Sequence, residues 1–180
     1  MPTESLLNDL QDFLDEHRVR YFSAKELCKL NKDHDFCDKL YVVPPKDMWV
    51  DILPTLHAAD ALRHWWGEPI TLANGGGGGG YRPTWYQEGL YNIGTSSTPF
   101  GGHSLFRAVD LTPSSFPVGK TRDDWFSAVK LVRQVLINVD ASPTAFGYDI
   151  YQKKGNKNVH VEIGTPLDKL DGRTSRHAWW

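Results

Sequence analysis

Leu6, Leu7, Leu10, Phe13 and Leu14 recur at helical spacing behind Thr3 and Ser5, and they predict an amphipathic helix over residues 4–17. Ser23 with Glu26 three residues on is a capping-box pattern and opens a short helix to about Leu30. After Pro44-Pro45, Asp47 is placed to cap a third helix. Its stripe of Trp49, Ile52, Leu53, Leu56, Ala59, Leu62 and Trp66 reads as a core face, and Pro54 inside the pattern predicts a kink. Beyond Gly67 the period shortens. Residues 69–73 read as a strand, and residues 106–111 as another with Ala108 and Asp110 on one face. Thr121 or Asp123 caps a helix to about Asn138, with Phe126, Val129, Arg133, Leu136 and Ile137 at helical spacing. Residues 145–151 and 158–163 alternate as strands and are joined by Lys153-Lys154-Gly155-Asn156 into a hairpin. Helices come first and short antiparallel strands later, which predicts an α+β fold with a small antiparallel sheet flanked by helices.

Two stretches escape this pattern. Gly75 to Gly80 are six consecutive glycines, whose default reading is a flexible loop. A phosphate cradle is disfavoured because no Lys-Ser or Lys-Thr follows them, and Gly119-Lys120-Thr121 has Ser114 where a phosphate loop needs its first Gly. Residues 81–102 are rich in Gly, Pro, Ser, Thr and aromatics with little periodicity, as a long functional loop would be.

A length of 180 residues suits one domain: helices over 1–66, a sheet-bearing core over 67–166 and a polar tail over 167–180 that ends in Trp179-Trp180. The net charge of -2 and pI near 6.4 supply no basic footprint for nucleic acid or an anionic membrane. No window approaches the roughly 18 apolar residues of a membrane span. The first twenty residues lack the basic start and apolar run of a secretory signal, so a protein made in the cytoplasm is expected. Cys28 and Cys37 match neither a zinc-finger spacing nor a disulfide framework and read as plain thiols.

The candidate chemistry lies in His103 to Asp110 and in His160-Val161-Glu162. Period two puts His160 and Glu162 on one strand face, pointing to solvent or to a cleft. Asp110 stands between Val109 and Leu111, where a buried carboxylate needs a cation. Two imidazoles and a carboxylate can close three corners of a zinc tetrahedron and leave the fourth for water.

These stretches resemble the zinc D-Ala-D-Ala carboxypeptidase and murein peptidase family, whose fold is shared with the amino-terminal signalling domain of hedgehog proteins. The family's Ser-x-His-x-x-Gly-x-Ala-x-Asp motif is matched at His103, Ala108 and Asp110, its Tyr-Arg segment at Tyr81-Arg82-Pro83, and its Asn at Asn92. Gly147-Tyr148 followed by Val159-His160-Val161-Glu162 is similar to the closing strand. Tyr21 to Leu27 and Pro44-Pro45 are similar to the opening of a phage and viral subgroup, so the likeness spans about residues 20–166.

The resemblance implies zinc held by His103, Asp110 and His160, with Arg82, Tyr81 and Asn92 toward the substrate. Arg82 would grip a substrate carboxylate or the oxyanion. Glu162 would accept the proton of the zinc water or orient His160, two roles left open. Tyr81, Trp85, Tyr86 and Tyr91 would line the cleft. Phe106 replaces the motif's Gly, Gly101 its Ser, and the glycine tract its Ser-Gly. Lys157 stands where many members carry an acidic general base three residues before the final His. The implied activity is hydrolysis of peptidoglycan stem peptides by a D,D-carboxypeptidase or related endopeptidase, working as a monomer at the bacterial wall once released, as phage enzymes are. The alternative is a weak or inactive zinc-bound module that recognises cell wall or a protein partner.

Overall fold

Helix α1 (Pro2–Glu16) buries Leu7, Leu10 and Leu14 against the body of the protein. The computed structural model describes residues 2–72, 78–96, 99–138, 144–147 and 157–163. Gly75 to Gly77, the expected strand end at 148–151, the turn at 153–156 and the tail at 167–180 lie outside the described residues. Helix α2 (Ala24–Cys28) opens with the expected capping box: Glu26 N donates to Ser23 Oγ at 3.2 Å and Ser23 N to Glu26 Oε2 at 3.0 Å. It ends two residues before Leu30, because Leu30 N turns to Leu40 O and Val42 N to Cys28 O.

The predicted third helix divides into a 3-10 helix over Lys46–Ile52 and helix α3 (Leu53–Trp66). Asp47 lies in the first turn of the former and makes no cap there. Pro54 starts α3 rather than kinking it, since the first turn leaves its N–H without an intrahelical partner anyway. The stripe from Trp49 to Trp66 is buried throughout.

Residues 81–102 are not one long loop: helix α4 (Thr84–Asn92) occupies the middle. Its periodicity was masked by Gly89, which is there for space, since a Cβ would come within 2.8 Å of Phe36 Cζ. Helix α5 (Arg122–Asn138) starts as expected at Thr121, whose hydroxyl accepts from Asp124 N at 3.4 Å.

The strands β1 (Ile70–Leu72), β2 (Ala108–Pro113), β3 (Thr144–Gly147) and β4 (Val159–Ile163) form one antiparallel sheet in the order β1-β2-β4-β3, giving the α+β fold. Val109, Leu111, Val159 and Val161 join Leu56, Leu62, Trp66, Trp125 and Val129 in the main core. Ala108, Asp110, His160 and Glu162 point to the other face, as period two requires. Both thiols are free, as expected, and both are buried; burial pushes Cys28 up to about 12.

Thr55, fully buried on α3, ties the site strands to the helix. Its hydroxyl donates to Arg107 O at 2.6 Å, just before β2, and accepts from Ile163 N at 3.1 Å, at the end of β4. Thr55→Val keeps the shape and removes both bonds, so urea unfolding should show a loss of about 1–3 kcal/mol.

Candidate metal centre

The register of β2 against β4 sets Asp110 directly opposite His160. Cross-strand partners stand close enough on one face for their side chains to meet, and His160 Nδ1 lies 2.9 Å from Asp110 Oδ1. The third group comes from the turn over residues 101–106, which closes with Ser104 N on Gly101 O and Arg107 N on Gly102 O. This turn brings His103 Nε2 to 3.3 Å from the same Asp110 Oδ1. His103, Asp110 and His160 are 6%, 5% and 8% exposed, and one donor atom from each lies within 4.8 Å of the others. A tetrahedral zinc with bonds of about 2.0–2.1 Å has donors roughly 3.3 Å apart, so the cluster could hold a metal ion after small adjustments.

The far nitrogens decide which atoms face the centre. His103 Nδ1 donates to Gly80 O at 2.8 Å, which in the neutral ring leaves the lone pair on Nε2, and that nitrogen has no hydrogen-bond partner among the described residues. His160 Nε2 lies 3.0 Å from Glu162 Oε2, which leaves Nδ1 for the centre. One imidazole therefore offers Nε2 and the other Nδ1. The structure sets Glu162 against the ring edge away from Asp110.

Arg82 closes the cluster, its Nη2 bonding Asp110 Oδ2 and its Nε bonding Gly78 O. The electrostatics follow from this packing. Burial and the Arg82 charge lower the pKa of His103. Burial would raise Asp110, but His103 and Arg82 outweigh it and hold the carboxyl well below its usual range. For His160 burial acts downward, and the bonds to Asp110 and Glu162 overcome it and raise the group to about 9.

The glycine tract corrects the expectation of a flexible loop at its described end. Gly78 N bonds Lys29 O at 2.7 Å, and the three carbonyls of Gly78, Gly79 and Gly80 receive Arg82 Nε, Asp110 N and His103 Nδ1 in turn. Gly78 has φ 83°, and a Cβ on Gly80 would come within 2.9 Å of the Leu27 carbonyl carbon, so two of the three have to be glycine. Sequence reasoning missed these residues, although their place just before Tyr81-Arg82 was a signal.

Other expected positions are not brought to the cluster. Tyr81 is buried with its ring 5.7 Å from that of Phe106, and Tyr86 is buried with its hydroxyl accepting from Asn31 N; both are core residues, not cleft walls. Trp85 and Tyr91 are exposed on α4, and Asn92 is exposed in its last turn with no bond to the cluster among the described contacts. Lys157 places its ammonium 5.5 Å over the Phe116 ring. Phe106 adopts φ 53° and buries its ring completely, which offsets the cost of a left-handed conformation in a bulky residue.

Asp110 touches both imidazoles, so it is the side chain whose loss is expected to matter most. After equilibration with zinc and dialysis, elemental analysis should find about one equivalent in the wild type and almost none in Asp110→Ala. No family model, curated protein or solved structure matches this chain, so the chemistry of the cluster is the ground for a functional reading.

Proposed function

We propose that the protein is a zinc-dependent peptidase acting on peptidoglycan stem peptides, as a D,D-carboxypeptidase or related endopeptidase. The observation that carries this reading is the convergence of His103 Nε2, Asp110 Oδ1 and His160 Nδ1, three donors from separate segments beside a guanidinium. Three protein ligands of this kind are the donor set of hydrolytic rather than structural zinc sites. Zinc bound there supplies Lewis acidity and a water that ionises near neutral pH. The resemblance to the murein peptidase family supports the same reading. So does the left-handed backbone of Phe106 at the position where that family's motif has Gly.

The chain's own residues divide the remaining work. Asp110 and the two imidazoles hold the ion, and Glu162 keeps the His160 ring turned with Nδ1 inward. Arg82 has five N–H donors, of which Gly78 and Asp110 occupy two among the described residues, and its remaining donors would take a substrate carboxylate or developing oxyanion. No helix among the described residues is long and apolar enough to cross a membrane. Action at the bacterial wall after release is part of this proposal.

One observation favours a second reading, a metal-bound module that recognises wall peptide without turnover. Lys157 is drawn to Phe116 and Glu162 is engaged with His160, so neither is placed as a free base. The readings separate on a defined stem peptide ending in D-Ala-D-Ala, followed by mass spectrometry. Under the peptidase reading the zinc-loaded protein cuts it, Asp110→Ala does not, and Arg82→Ala lowers kcat/KM by about 100-fold or more. Zinc-loaded protein that binds the peptide in calorimetry and leaves it whole at every pH selects the module instead.

A further inference from the structure

We propose that Gly102 is a positioning residue for the metal centre: the space left by its missing side chain lets the Glu162 carboxylate reach His160 Nε2 and hold Nδ1 toward the ion. This deepens the reading of the cluster as a metal site and rests on it.

Backbone conformation does not explain a glycine at this position. Gly102 is absent from the positive-φ residues, unlike Gly78, Gly94 and Gly119, so an L-residue could adopt its backbone. Space explains it. A Cβ built on Gly102 would overlap the Glu162 carboxylate, with Oε2, the oxygen that bonds His160, at 2.8 Å. Glu162 is 1% exposed, opposite Ala108 on β2 and Ala145 on β3, with the 101–106 turn over its carboxylate. The end of a glutamate is flexible, so the backbone would not have to move to admit the methyl group. The carboxylate would move, and in doing so it would release His160.

The same turn thus serves the centre twice. His103 supplies a donor, and its neighbour Gly102 makes room for the carboxylate behind the other imidazole. An outer partner of a ligating histidine fixes its tautomer and ring angle, and loss of one typically costs 10–100-fold in metal affinity. Gly102→Ala should therefore act as a metal-affinity mutation with little effect on stability.

The test uses Co2+ as the probe on the full chain, with visible absorption for ligand geometry, a competition titration for affinity, and melting of the metal-free protein as a control. Gly102→Ala and Glu162→Ala should each weaken Co2+ binding by about 10–100-fold with altered spectra. The double variant should be no weaker than Glu162→Ala alone, because the methyl group then has nothing to displace. Glu162→Gln, which keeps the length and an accepting oxygen, should bind better than Glu162→Ala. Wild-type affinity in Gly102→Ala, losses that multiply in the double variant, or an unfolded Gly102→Ala would each overturn the proposal. A wild type that takes up no Co2+ overturns the metal-site reading itself, a result distinct from these.

Discussion

A carboxylate in the middle of a buried strand has to be matched by positive charge or hydrogen-bond donors, and the architecture around Asp110 is arranged to do so. Asp110 Oδ1 faces both imidazoles and Oδ2 faces Arg82, while its backbone N–H is taken by Gly79. Four separate segments meet at this residue: the glycine tract with Arg82, the turn carrying His103, β2 itself, and β4. Unmatched, the charge would be expensive enough to bury to work against the sheet. Matched, it draws those segments to one point and leaves the two inward imidazole nitrogens side by side.

The supports are mostly backbone, and they depend on residues without side chains. Gly78, Gly79 and Gly80 offer carbonyls to three site residues, and Gly102 admits the Glu162 carboxylate. Glycine brings main chain close to a functional group in a way no other residue can. The entropic cost of ordering it is offset here by bonds to Lys29 and to the site. Behind the sheet, Thr55 on α3 holds β2 and β4 in the register that sets Asp110 against His160. Through this hydroxyl α3 is linked directly to the strands that carry the candidate metal centre.

Wherever local pattern was enough, the elements were legible: the Leu7, Leu10, Leu14 face of α1, the Ser23–Glu26 box, the buried stripe of α3, and the alternation that turns Asp110, His160 and Glu162 to one face. Helix α4 was hidden because Gly89 and Pro83 read as loop residues, and only the approach of Phe36 shows why a glycine stands in that helix. The aromatic positions were ambiguous for a related reason. Tyr81 and Trp85 have similar neighbours in sequence, yet one is in the core and the other is exposed.

The amino-acid order by itself determined the α+β class and most of the helices and strands, because helical and strand periods are local properties, and the family resemblance pointed to the three candidate donors. Only the tertiary structure decided which imidazole nitrogen faces inward, that Glu162 stands behind His160, and that the glycine tract supports the site. These depend on distances between residues such as Gly80 and His103, or Gly102 and Glu162, which packing sets and spacing along the chain does not.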